Sequence, residues 1–192
     1  MLTTLRRIIQ DVSSTSDFKE ALNIMVLEIA AALETDACSI FLLDKPLKEY
    51  ILIATRGLHP AAVNKVHIPV GKGLIGLVGE REEPVNINDA KKHPRFLHIA
   101  EVKEEPYHAF LGVPLMYHRK CLGVIIVQQK EPRRYDEAEE AFLVTLATQL
   151  AVIIAHAEAT GKLGDLFDTR HKKDQATVVS GIPSARNAAA AA

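Results

Sequence analysis

The segment Asp44-Lys45-Pro46-Leu47-Lys48-Glu49 restricts the fold more than any other. It is a run of turn-forming residues between two short stretches rich in aliphatic and β-branched side chains, Cys38 to Leu43 and Tyr50 to Thr55. Parallel strands need a crossover of a dozen or more residues, so a connection of about six joins an antiparallel hairpin. The pattern recurs further along: Ala109 to Leu115 and Leu122 to Gln128 are separated only by Met116 to Lys120. Between these pairs lie two more strand candidates, Val66 to Val70 and Pro84 to Ile87. A short apolar segment, Leu74 to Val78, is opened by Gly71-Lys72-Gly73. Hairpins without regular βα alternation predict an α/β domain of the α+β kind. Its sheet is roughly six-stranded and mainly antiparallel, with N- and C-terminal helices packed on one face.

The helices are read from apolar spacing. Asp17 caps a helix running to about Leu33, with Glu20 at N3 to reciprocate. Its residues Phe18, Ala21, Leu22, Met25, Val26 and Ile29 make a face wide enough to cover a sheet. Asp136, with Glu139 three residues on, caps a long helix to about Ala159. Met1 to Val12 carries a narrower seam, Leu2, Leu5, Ile9 and Val12, of the kind that pairs with another helix. The last helix repeats Leu143, Leu146, Leu150 and Ile153 at similar spacing. The expectation is a homodimer whose interface uses Leu5, Ile9, Leu143, Leu146, Leu150 and Ile153. The chain then divides into a dimerisation helix (1–16), a sensory domain (17–160), and a linker leading into a further, truncated domain (161–192). The terminal Ala188 to Ala192 have no domain-like character and read as placeholder residues or a cloning scar.

Charge and cysteine usage narrow the function. A net charge of -1 provides no long-range attraction for nucleic acid or anionic lipid, so neither is an expected partner. No N-terminal apolar signal and no continuous apolar run of membrane-spanning length occurs, and a cytoplasmic location is expected. The two cysteines, Cys38 and Cys121, sit in strand-like runs and read as buried thiols in a reducing compartment.

Catalytic signatures are missing. Gly71-Lys72-Gly73-Leu74-Ile75-Gly76 matches a dinucleotide fingerprint in letters, but no βαβ unit surrounds it; a turn entering a close-packed helix is the better reading. His93, His98 and His108 lack metal-ligand spacing, and no nucleophile elbow or zinc motif is present. The expectation is no catalytic residue, no metal and no self-contained enzyme. A ligand pocket is expected on one side of the sheet. The irregular stretch Asn88 to Pro106 and the Leu74 to Val78 segment would close over it. Its candidate residues are Ser39, Phe41, Arg56, Val78, Asn86, Asp89, Phe96, Phe110, Gly112 and Val113, with Arg56, Asn86 and Asp89 as rim anchors. A filled core without a cavity is the alternative.

Three segments then acquire a family likeness. Gly73-Leu74-Ile75-Gly76-Leu77-Val78, Phe110-Leu111-Gly112-Val113-Pro114-Leu115 and Leu122-Gly123-Val124 together resemble a GAF domain, over about Asp17 to Ala157. Further segments are similar to the GAF domains at the front of nitrogen-related bacterial phosphoenolpyruvate–protein phosphotransferases. These are Ala54 to Leu58, Asn88 to Phe96, Val102 to Glu105 and Phe142 to Leu150. Ser180-Gly181-Ile182-Pro183 is similar to the entry into their phosphotransferase part. The resemblance implies a GAF-like six-stranded sheet, a dimer, and a ligand reporting nitrogen status, such as glutamine or 2-oxoglutarate. It implies as partners the attached phosphotransferase domains and a downstream phosphocarrier protein. Magnesium and phosphoenolpyruvate are implied only for that catalytic part, so no cofactor is expected here. The polar signature of cyclic-nucleotide-binding GAF domains is absent. Other users of the fold remain as alternatives: a ligandless dimerisation module, the sensor of a transcriptional activator, or a free-methionine-sulfoxide reductase. The last needs reactive thiols in pocket loops, whereas Cys38 and Cys121 are strand residues.

Overall fold

A computed structural model of the chain describes residues 2–15, 17–98 and 107–167. The order is α1 (Leu2–Ser14), α2 (Phe18–Ala32), β1 (Ala37–Asp44), β2 (Glu49–Arg56), β3 (His67–Pro69), α3 (Gly73–Arg81), β4 (Val85–Ile87), β5 (Ala109–Tyr117), β6 (Lys120–Gln129), α4 (Glu137–Ala159) and α5 (Gly164–Phe167). The strands form one six-stranded sheet in the order β3-β2-β1-β6-β5-β4, and every neighbouring pair is antiparallel.

Both expected hairpins form, and the second is tighter than its sequence suggested. Tyr117 pairs directly with Lys120, leaving only His118 and Arg119 in the turn. Their φ angles of 46 and 60 place both in the left-handed region, as a type I′ connection requires. That turn usually announces itself with Asn or Gly, and neither is present. In the first hairpin the Asp44 carboxylate accepts from the Leu47 amide at 3.1 Å, closing the turn.

The helix starts follow local chemistry. Asp136 and Glu139 form the full reciprocal capping box. Asp17 accepts from the amides of Lys19 and Glu20. Its own amide donates to the Thr15 hydroxyl, while Glu20 accepts from that hydroxyl. The return half of the expected box is therefore relayed through Thr15.

Two cores lie on opposite faces of the sheet. The larger joins α1, α2 and α4 to inward residues such as Ile40, Leu42, Ile53, Leu111, Leu115 and Ile125. The smaller lies under α3 and contains Phe41, Leu52, Val78, Phe110, Val124 and Ile126. The terminal helices share one face as expected, and α3 covers the other together with the segments around Ala62, Val66, Ala90 and Phe96.

The larger core takes in three of the residues expected at a dimer seam. Leu143, Leu146 and Leu150 are completely buried in the protomer's own core, and Ile153 and Leu5 pack against the same cluster. Ile8, outside the expected α1 seam, is also fully buried, while Ile9 is half-buried. An Arg7–Glu28 ion pair at 2.6 Å further ties α1 to α2. The three leucines therefore serve the sheet and face no second chain in this packing. α4 is long and apolar enough by composition to cross a membrane. Eight of its residues are buried within the domain and its first turn carries Glu137, Glu139 and Glu140, so it is a core helix here. The expectations for Val102 to Glu105, Ser180 to Pro183 and the terminal alanines lie outside the described residues.

Candidate functional site

Strand alternation sorts the expected pocket residues between the two cores. In β5, Phe110 and Gly112 face α3, whereas Leu111 and Val113 face the large helices. Val113 therefore stands on the wrong side of the sheet for a pocket beneath α3. Gly112 lets α3 sit close: a Cβ there would lie 2.6 Å from the Val78 methyl and 2.9 Å from the Phe110 ring. The glycine-rich stretch works likewise as a turn and helix entry. Gly71 and Gly73 have positive φ, and a Cβ on Gly76 would lie 2.7 Å from the Gly71 backbone.

Between α3 and the sheet remains a cavity of about 60 Å³. Its floor is Phe41, Phe110, Ile126 and Gln128; Val66 and Ile68 close one side, Leu74 and Ile75 the top, and Phe96 and Leu97 the mouth. Among the described residues Gln128 is the only polar side chain in the lining. Ordinary ligand pockets span roughly 300–1,000 Å³, so this cavity is smaller than a usual metabolite site.

The structure brings Phe41, Phe96 and Phe110 together around this cavity, with Val78 and Gly112 packed beside them. Ser39 is buried on the same face, but its hydroxyl is matched to Thr55 at 2.8 Å. Arg56 points away and donates to the carbonyls of Thr35 and Asp36 at 3.1 and 3.0 Å. Asn86 donates to the Tyr135 carbonyl and to Glu140, clamping β4 to the entry of α4. Two of the three expected rim anchors are thus occupied in holding the fold. Sequence reasoning missed Gln128 and Arg95. Gln128 continues the alternation of Val124 and Ile126, which was a usable signal; Arg95 sits in an aperiodic segment that offered none.

Asp89 precedes the cavity residue Ala90 and is largely buried. It meets Lys92 Nζ and His108 Nδ1, each at 2.9 Å. Lys92, then His108, hold its carboxyl below the usual aspartate range. A depressed folded-state pKa contributes stability above the unfolded value of about 3.9 and loses it as pH falls through the folded value. Asp89→Asn is therefore expected to melt below the parent chain at neutral pH, with the two melting curves converging as pH drops below about 4. A gap that persists undiminished to lower pH would sink that account.

Neither thiol lines the cavity. Cys38 is wholly buried in the larger core, and burial pushes its thiol up. Cys121 is likewise raised by burial, and its Sγ donates to the Gly123 carbonyl at 3.2 Å. Among the described residues no group of three His, Cys, Asp or Glu side chains could hold a metal.

Residues 17–154 match the GAF domain family. The chain belongs to that family. Proteins of Salmonella typhimurium and Escherichia coli described as "Phosphoenolpyruvate-dependent phosphotransferase system" are each 45% identical over 170 residues, 88% of this chain. The chain spans 23% of their length. The solved GAF domain of a Coxiella burnetii phosphoenolpyruvate–protein phosphotransferase superposes with a TM-score of 0.81 at 47% identity, over 84% of this chain and 96% of its own. Its Acinetobacter counterpart gives 0.77 at 48%, over 84% and 96%. A free methionine-R-sulfoxide reductase from Neisseria meningitidis matches at 0.71 with 21% identity, over 82% and 89%. At that identity it shares the GAF fold alone.

Proposed function

We propose that this GAF domain is the regulatory, small-molecule-sensing front end of a cytoplasmic phosphoenolpyruvate–protein phosphotransferase. In this reading it has no catalysis of its own. It tunes phosphoryl transfer by attached domains that use magnesium and phosphoenolpyruvate and pass the phosphoryl group to a phosphocarrier protein. The kinship with phosphotransferase GAF domains supports the parentage. The observation that carries the sensing role is the small apolar cavity with the amide of Gln128 on its floor. A domain serving only as a connector has no use for a void beneath α3, since interiors otherwise pack to crystal density.

The proposed effector is a nitrogen-status metabolite, glutamine or 2-oxoglutarate. Glutamine suits the floor better: its side-chain amide is complementary to that of Gln128, whereas a second carboxylate in an apolar cavity is costly. A homodimer completes the proposal, with its interface away from the buried leucines of α4. The effector acts by binding open and closed arrangements with different affinity.

Calorimetric titration of the chain with each metabolite tests this. Saturable heat is expected with glutamine, weakened about 10-fold in Gln128→Leu, the effect of removing one well-placed polar partner. No heat and no thermal shift with either compound would favour a ligandless interaction module instead.

A further inference from the structure

Arg95 and Phe96 are chain neighbours with different tasks. Phe96 closes the mouth of the cavity, together with Leu97. Arg95 turns the other way, donating from Nη1 to the Glu80 carboxylate at 2.5 Å and from Nη2 to the Gly71 carbonyl. A tight local turn keeps the two in register: the Arg95 amide donates to His93 Nδ1 and the Phe96 amide to the His93 carbonyl. Leu97 rests on the start of α3, where a Cβ on Gly73 would come within 3.3 Å of its own Cβ. One guanidinium thus fastens the mouth segment to α3 and to the turn before it. Outside the mouth an open groove runs past Pro69, Gly71, Lys72, Arg95, Phe96 and Leu97, adding a second cation, Lys72, on the approach.

The fastening is an exchangeable one. The Arg95 and Glu80 side chains are 32% and 48% exposed, and ion pairs so open to water contribute little net stability. Arg95 holds the Glu80 carboxyl below the usual range, so Glu80 is ionised near neutrality and is a fully charged occupant of the guanidinium fork. A guanidinium presents paired donors to any carboxylate of suitable reach. Replacing one carboxylate by another keeps the charge balance at Arg95, so the exchange leaves no buried unpaired ion.

We propose that Arg95 is the ligand-recognising residue of this site, with Glu80 as its internal placeholder. The entering ligand is a small carboxylate with a short uncharged tail. Its carboxylate takes Arg95 from Glu80, the release of Glu80 frees Phe96 and Leu97 from α3, and the tail enters the cavity toward Gln128. The fastening thereby reports occupancy to α3, which packs over the smaller core. This rests on reading the cavity as a ligand site.

The test exploits the fact that Glu80→Gln and Arg95→Gln break the same pair. A purely structural latch predicts that any ligand responds to both variants in the same direction. Recognition by Arg95 predicts opposite directions for an anion. The probes are glutamine, 2-oxoglutarate, isocaproate and its uncharged counterpart isocaproamide, titrated calorimetrically into the chain and both variants, with melting curves confirming that each variant is folded. For the carboxylate that binds, affinity is expected to rise about 3-fold in Glu80→Gln and to fall about 10-fold in Arg95→Gln. Isocaproamide is expected to bind equally or more tightly in both. A bound carboxylate that moves in the same direction in both variants, or in neither, overturns the assignment of Arg95 while leaving the cavity a ligand site. No binding of any probe to any variant, the unlatched Glu80→Gln included, overturns the ligand-site reading and this proposal together.

Discussion

Leu146→Ala is expected to destabilise the GAF domain by about 2–5 kcal/mol, the range for emptying a fully enclosed leucine site. Leu146 has no exposed surface and belongs to the larger core, where α4 covers the sheet. Little can collapse into the vacated space, because Val113 and Ile125 are held by strand pairing and Leu143 and Leu150 by the helix. The loss should be identical in urea melts at low and high protein concentration. An interface leucine behaves differently: its removal moves the midpoint with concentration, since association stabilises by mass action. Val152→Ala, on the exposed side of the same helix at 49% exposure, should change stability by no more than about 0.5 kcal/mol. A parent-to-variant difference for Leu146→Ala that itself changes with protein concentration would return that residue to a dimer seam and contradict its place in the core.

The same residue shows what a spacing pattern can and cannot convey. Leucines three and four apart define a helix face, and α4 has that face. The spacing does not say whether a sheet or a second helix lies opposite, so a face that covers the protomer's own strands reads equally well as a dimer seam. The hairpins were legible because turn chemistry is local. The β5–β6 connection was overestimated because His118 and Arg119 adopt left-handed conformations that their side chains do not advertise. Polar residues were least legible. Arg56 and Asn86 carry the chemistry of ligand anchors, but their partners are backbone carbonyls of Thr35 and Tyr135, 21 and 49 residues distant. Only the fold reveals such pairings. The aromatic cavity residues Phe41, Phe96 and Phe110 were within reach from strand alternation and a lid-like loop. Alternation also separates Gly112 from Val113, and applying it would have moved Val113 to the other core.

Gly112 carries the second large effect. Gly112→Val is expected to cost about 3 kcal/mol, the upper end for overfilling a packed site. The strand backbone itself accepts valine readily, so the cost comes from α3. The new Cβ would enter the space of the Val78 methyl at 2.6 Å and of the Phe110 ring at 2.9 Å. Phe110 is buried with the cavity on one side, and Val78 is completely buried. The strain is relieved by lifting α3 or by rotating Phe110 into the cavity. Both changes alter the proposed ligand site, so effector binding should fall along with stability. Val78→Ala removes the methyl that the new side chain meets. In the double variant Gly112→Val/Val78→Ala the two costs should be less than additive, with a favourable coupling of about 1–2 kcal/mol in a urea-unfolding cycle. Strict additivity would mean that α3 does not bear on Gly112, and that the close seat of this helix is set elsewhere. If the coupling appears and effector binding returns with it, the spacing between α3 and β5 governs both the stability of the smaller core and access to its cavity.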